Sequence, residues 1–395
     1  MDHVLRTSGY ETSAVEVVRA RDCILYTADG RELIDFEAGV WAVALGHAHP
    51  RIVRTIQEQL RRISHIAYRV TSPLQESAAA EVLRAVDFAD GQCVFLSSGS
   101  EAVEFGVQIA RRVSGRPLLL TLEETFLGSY GSAGTKSPDE WALFDRNLCR
   151  DCPPKHECSL DCPHLAEIPF DQVGALVFEP GSSGGLVRFP PERLIRALRD
   201  GVRAHGGRVV VNEITTGVGR TGTWFGFQHA GLRPDIVAIG KGLGNGYPVS
   251  AVAMRSSVIE ELRRTDFRYA QSHQNDPLAC AVAEEVLRTV REEELVERSA
   301  RIGAFFRQEL ERLARHHDVI REARGRGLML AIEFLPDRDG FALRNVFDEL
   351  LDRGFLVGYK PERRLLRFLP PLTIPKADIT RLLEALGDTL KQTAG

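Results

Sequence analysis

Between about residues 80 and 250, short apolar runs alternate with amphipathic stretches, which narrows the fold to an α/β architecture with a mainly parallel sheet between helices. In QCVFLSSGSEAVEFGVQIARRVSG an apolar run meets a small-residue turn. A helix follows, with Ala102, Gly106, Ile109 and Val113 on one face. PPERLIRALRDGVRAHGGRVVVNE repeats the pattern: Pro190 and Pro191 open a helix, Leu194, Leu198 and Val202 stripe it, and Gly206 and Gly207 stop it before the next strand. The runs GALVFEP, RVVVNE and DIVAIGKG each end in a polar or reactive residue. Ligands of open α/β sheets sit beyond the carboxyl ends of strands, so these ends are expected to converge on one site.

Beyond residue 285 the chain turns to charged helices and a short RFLPPLTI segment. The expected organisation is an N-terminal segment (1–45) joining a C-terminal α+β domain (286–395), with a large domain (46–285) between them and a Cys-rich insert at 149–164. A net charge of -4 supplies no broad basic field for nucleic acid. MDHVLRTSGYETSAVEVV lacks the apolar core of a secretion signal, and no later run is long enough for a bilayer, so a cytoplasmic chain without a membrane partner is expected. Four of the seven cysteines crowd between Cys149 and Cys162, which argues against a secreted disulfide framework.

Lys241 follows DIVAIG and precedes GLGNGYP, so its amine projects from a strand end into a Gly-rich turn. That geometry suits a Schiff base, although a lone lysine after a strand is commonly a solvated loop charge. The surrounding segment, NEITTGVGRTGTWFGFQHAGLRPDIVAIGKGLGNGYPVSAVAM, resembles the pyridoxal phosphate (PLP) attachment signature of class III aminotransferases, the family of acetylornithine, ornithine and 4-aminobutyrate aminotransferases. DGRELIDFEAGVWAVALGHAHP is similar to that family's amino-terminal segment, SSGSEAVE to its phosphate-binding turn, and RFLPPLTI to its carboxyl-terminal substrate loop. The resemblance covers nearly the whole chain. It implies PLP-dependent transferase fold type I, a large and a smaller domain, and a homodimer with active sites at the subunit interface.

The resemblance also implies site residues. Lys241 holds PLP; Gly99 and Ser100 meet its phosphate at a helix amino terminus. Ser272 reaches that phosphate from the neighbouring subunit, while Phe126 stacks on the pyridine ring and Ile214 packs on its other face. Both of the last two also suit ordinary core packing. Arg367 matches the arginine that binds a substrate carboxylate through two parallel contacts, with a structural salt bridge as the alternative. Glu179 lies at the rim of the site, in a direct or a supporting role, and Trp41 borders the substrate pocket.

Three positions depart from the family pattern. Asn212 replaces the aspartate whose charge keeps the pyridine nitrogen protonated; a neutral amide donates a hydrogen bond but cannot raise that pKa by charge pairing. Glu213 does not obviously rescue the function, because adjacent strand residues face opposite sides. Ser129 and Gly184 stand where relatives that use 2-oxoglutarate carry a second arginine and a gating glutamate. Transfer of an amino group between a carboxylate-bearing amine or amino acid and a keto acid or aldehyde is therefore the leading expectation. A PLP-dependent lyase, decarboxylase or other carbanion enzyme, and a non-catalytic PLP- or metal-binding sensor, stay open.

Cys149, Cys152, Cys158 and Cys162 read C-x2-C-x5-C-x3-C, with His156 and His164 nearby. Four soft ligands in fourteen residues suit zinc or an iron–sulfur cluster, and reduced or redox-active thiols are the other reading.

Overall fold

The computed structural model describes residues 3–5, 15–149, 152, 158–181, 185–337 and 341–393. At its centre is a seven-stranded sheet in the order Gln92–Leu96, Ser250–Met254, Ile236–Ile239, Arg208–Asn212, Val173–Phe178, Leu118–Leu122, Trp141–Phe144. Ser250–Met254 runs antiparallel to both neighbours, and the remaining pairs are parallel.

The central strands are apolar on both faces because both are covered. Val209, Val211, Val237 and Ile239 join one core with Leu194, Leu198 and Val202 of the helix Glu192–Ala204. Val210, Ile236 and Ala238 join the opposite core with Ala102, Val103 and Ile109 of the helix Gly99–Ser114. Alternation along each strand thus fixes which side of the sheet each terminal residue serves.

Two four-stranded sheets flank this layer. One contains Val17–Arg21, Ile24–Thr27 and Glu32–Asp35, and is completed by Phe355–Leu356 in parallel register with Ile34 and Asp35. The other contains Ile320–Arg326, Met329–Phe334, Leu365–Phe368 and Gly358–Lys360, all antiparallel. The first sheet carries the chain directly into the segment that bears Trp41; the second carries Arg367. Among the described residues no helix is long and apolar enough to cross a membrane.

Candidate active site

The strand Ile236–Ile239 ends at Gly240, and Lys241 then takes φ 42, which turns the chain sharply and heads the short 3-10 helix Lys241–Gly244. Its amine is drawn away from water. Burial pushes the Lys241 pKa down to about 8, with Glu179 opposing the shift and Arg367 adding to it. An amine with that pKa exchanges protons readily near neutrality.

Lys241 Nζ lies 5.1 Å from the centroid of the Trp41 ring, and Arg367 Cζ lies 4.9 Å from the same centroid. Trp41 is 3% exposed. It ends a left-handed turn in which Ala38, Gly39, Val40 and Trp41 have φ of 47, 58, 60 and 67°. Such a conformation costs about 1–2 kcal/mol for each residue other than glycine, so something must hold it. Asp35, almost wholly buried, does so: Oδ1 accepts from Glu37 N at 2.8 Å and Ala38 N at 2.9 Å, while Oδ2 meets His47 Nε2 at 2.8 Å. Trp41 Nε1 is buried and has no hydrogen-bond partner among the described residues.

Gly99, Ser100, Phe126, Asn212 and Ile214 form a second connected group. Ser98 caps the helix Gly99–Ser114 by accepting from Glu101 N at 3.2 Å. A Cβ on Gly99 would stand 2.8 Å from Ile214 Cγ2, so only glycine lets the helix start approach the strand end this closely. A Cβ on Gly240 would likewise meet Ile214 Cδ1 at 3.0 Å, which ties this group to the turn bearing Lys241. Ser100 Oγ accepts from Ser129 N at 3.1 Å, leaving its own proton to donate.

Asn212 ends its strand with the side chain tied at both atoms: Nδ2 donates to Phe126 O at 2.9 Å, and Oδ1 accepts from Ile214 N at 3.1 Å. One amide thus fixes the backbone of the two residues expected to sandwich a flat ring. Phe126 remains 45% exposed, which is high for a phenylalanine beside a core. Glu179 is buried and accepts from Thr215 Oγ1 at 3.0 Å.

The features fit PLP: a largely enclosed amine of lowered pKa, a helix start whose Ser100 hydroxyl keeps a proton to donate, a half-open aromatic face, and an indole N–H without a partner among the described residues. Ser272 stands apart. It is exposed on the turn before the helix Pro277–Glu292, with no hydrogen bond to the other candidates among the described residues.

Sequence reasoning had set Glu213 aside as facing away from Asn212, and two half-buried groups, Lys136 and Glu37, had escaped it. Glu213 is fully buried on the opposite side of the strand from Asn212, accepting from Thr216 Oγ1 at 2.6 Å, Gly226 N at 2.9 Å and Phe227 N at 2.8 Å. Lys136 Nζ donates to Thr125 O; burial lowers its pKa, against the pull of Glu179 and Glu123. Glu37 receives a contact from Arg367 Nη2 at 3.4 Å. Its only sequence signal is a carboxylate in the otherwise apolar stretch FEAGVW.

The four clustered cysteines are free and half-buried. The Cys149 thiol is pushed up to about 11, first by burial and then by Cys152, Cys158 and Cys162, so the sulfurs sense one another. They do not converge as ligands. Among the described residues the group with ligand atoms all within 4.8 Å is His65, His273 and Asp276, where Asp276 Oδ2 meets the two Nδ1 atoms at 2.8 and 2.9 Å and Oδ1 accepts from Leu278 N. Hydrogen bonding and helix capping account for that group. His156 and Gly184 lie outside the described residues.

The mainly parallel seven-stranded sheet and its likeness to solved aminotransferases define a PLP-dependent transferase of fold type I. The family model for Aminotransferase class-III matches residues 6–140 and 150–390, and the chain belongs to that family. An acetylornithine aminotransferase from Methanopyrus kandleri is 32% identical over 384 residues, spanning 97% of this chain and 96% of the relative. The 5-aminovalerate aminotransferase DavT of Pseudomonas aeruginosa is 29% identical over 401 residues, spanning 95% and 93%. The ornithine aminotransferase structure from Toxoplasma gondii, crystallised with oxidised glutathione and with PLP at partial occupancy, superposes with a TM-score of 0.82 at 26% identity, covering 98% of this chain and 93% of that one. The protein is a PLP-dependent transaminase that acts on amino and keto acids.

Proposed function

We propose that Lys241 anchors the cofactor and then carries the proton, and that Arg367 receives the carboxylate of an amine or amino acid beside Trp41. The carrying observation is the shared ring: Lys241 Nζ and Arg367 Cζ lie 5.1 and 4.9 Å from the centroid of one indole, a proximity that supports a reactive amine and a carboxylate receptor serving one substrate. When bound, PLP supplies the electron sink for the reacting carbon. Gly99 and Ser100 hold its phosphate through the helix start and the Ser100 hydroxyl, and Ser272 does so from a second copy in a homodimer. Phe126 and Ile214 flank its ring, with Asn212 donating its remaining N–H toward the ring nitrogen. Lys241, once released, takes a proton from the substrate carbon and returns it nearby, as suits an amine with a pKa near 8. Glu179 holds Lys241 electrostatically, and Trp41 limits the substrate's width.

The relatives' names put acetylornithine, ornithine and 5-aminovalerate among the amines to test. A panel of these, followed at the cofactor's absorption band, is expected to bleach the band with release of the carbonyl product. Borohydride reduction and peptide mapping should then place the label on Lys241; a label on another side chain would overturn the assignment.

Asn212→Asp gives a second test. The change removes the donor to Phe126 O and sets a carboxylate oxygen against that carbonyl, so the cofactor-free protein should lose about 1–3 kcal/mol of stability. With cofactor bound, the added charge should raise amino transfer by at least about tenfold, equivalent to one pKa unit at the ring nitrogen. Equal melting temperatures and equal rates in both proteins would remove Asn212 from the site. We place the protein in the cytoplasm, divided at residues 45 and 285. Metal at Cys149, Cys152, Cys158 and Cys162 would require the thiols to close together, and elemental analysis of protein purified without chelator checks it.

A further inference from the structure

We propose that Glu37 and Arg367 act together as a receptor for the zwitterionic end of an α-amino acid, so that the preferred donor is a diamino acid with a free α-amine that reacts at its distal amine. This rests on the reading of Arg367 as the carboxylate receptor and adds to it the group that reads the neighbouring ammonium.

The two side chains come from opposite ends of the sequence. Arg367 lies in the strand Leu365–Phe368 and pairs across the ladder with Gly358. A Cβ on residue 358 would stand 2.5 Å from Glu37 Oε1 and 3.1 Å from Arg367 Cβ and Nε, so this glycine makes the space in which the carboxylate reaches the guanidinium. Arg367 Nη2 donates to Glu37 Oε1 at 3.4 Å, near the long limit for a direct bond. The Arg367 side chain is 6% exposed and that of Glu37 is 23% exposed, so Glu37 is the more accessible member of the pair.

Glu37 also opens the left-handed turn that ends in Trp41, and Arg367 lies over the Trp41 ring. The carboxylate, the guanidinium and the aromatic wall are therefore mounted as one unit, with Lys241 over the same ring. Adjacent opposite charges in a protected site match adjacent opposite charges on a ligand. A substrate that offers a carboxylate alone must face the like charge of Glu37 to reach Arg367. One that also carries an α-ammonium meets both partners. The charged groups acting on Glu37 are Arg367 and Lys360, which favour its ionised form, and Asp35, which disfavours it; burial outweighs the attraction and raises its pKa.

Ornithine and 5-aminovalerate share a carbon chain and a distal amine and differ at the α-amino group, which makes them a matched pair. The wild-type holoenzyme is expected to show kcat/KM for ornithine about tenfold or more above that for 5-aminovalerate, with the distal amine lost, as fits one hydrogen bond to a charged group. In Glu37→Gln the ratio should fall toward one, chiefly through KM. In the wild type it should also fall as pH drops and Glu37 takes up a proton, a dependence the variant lacks. Glu37→Asp, which shortens the reach but keeps the charge, should give an intermediate ratio and serves if the glutamine variant misfolds. A wild-type ratio of one or less, loss of the α-amine of ornithine, or a ratio unchanged in both variants overturns the proposal. Arg367→Ala separates it from its parent: if KM for both amines is unaltered there, the Arg367 reading fails, whereas a rise in both with no effect at Glu37 sinks the zwitterion receptor alone.

Discussion

Lys241→Ala is expected to lower amino transfer by about a thousandfold or more while the fold persists. The variant removes the covalent anchor and the proton carrier in one step, and nothing nearby replaces both. Lys136 is the other lysine that senses Glu179, but it is only half-buried and its Nζ already donates to Thr125 O. Glu179 is a carboxylate and cannot anchor an aldehyde. The fold should survive because Lys241 belongs to a short turn outside the sheet and makes no ion pair within 4 Å among the described residues. Alanine accepts the φ of 42 at no greater cost than lysine does. The expected record is an unaltered melting temperature, cofactor that dialyses away, and no bleaching with any amine. Lys241→Arg keeps the charge and should be equally inactive, since guanidinium does not deprotonate near neutral pH. Residual turnover within tenfold of the parent would show that another group carries the chemistry.

The largest loss of stability is expected from Glu213→Ala. The side chain is fully enclosed, and its carboxylate closes the loop after the strand by accepting from Thr216, Gly226 and Phe227. Truncation strands three donors away from water, at about 1–3 kcal/mol each before relaxation, so a net loss of about 3–5 kcal/mol should appear in chemical denaturation. pH gives an independent check. Burial raises the Glu213 pKa from 4.5 to about 7, against the hydrogen bonds from Thr216, Gly226 and Phe227. Its contribution is therefore greatest below pH 4.5, where folded and unfolded chains are both protonated. It declines as pH rises through about 7, because the unfolded chain has already released the proton that the folded chain retains. The full change is about 3 kcal/mol. Glu213→Gln, neutral at every pH, should flatten this slope; an unchanged pH profile would mean that Glu213 titrates alike in the folded and unfolded chains.

Much of the scaffold was legible because it obeys local rules. The runs ending at Glu179, Asn212 and Lys241 are apolar at every position because both faces are covered, and their lengths distinguish them from helices. Gly99 and Ser100 were legible from a small-residue turn between strand and helix. Asn212 was legible as a missing charge, but not as the amide that binds Phe126 to Ile214, since its partner lies 86 residues away. The Glu37–Arg367 contact spans 330 residues and depends on a ladder register that places Gly358 opposite Arg367, which no local pattern encodes. The turn through Ala38, Val40 and Trp41 opposes local preference outright and exists because Asp35 organises it. For the cysteines, close spacing implied a shared ligand, yet Cys149, Cys158 and Cys162 pack against the core, and among the described residues no three of the thiols meet as ligands.

Asp35 binds the start of the turn that ends in Trp41, clamping two backbone amides with one oxygen and an imidazole with the other. Anything that loosened this fixing, such as Asp35→Asn or loss of the His47 ring, would release a coiled segment and let Trp41, Glu37 and their neighbours move together. Selectivity in this enzyme could then drift through changes at the base of the turn, and an engineer seeking to admit bulkier amines would do well to start with Asp35.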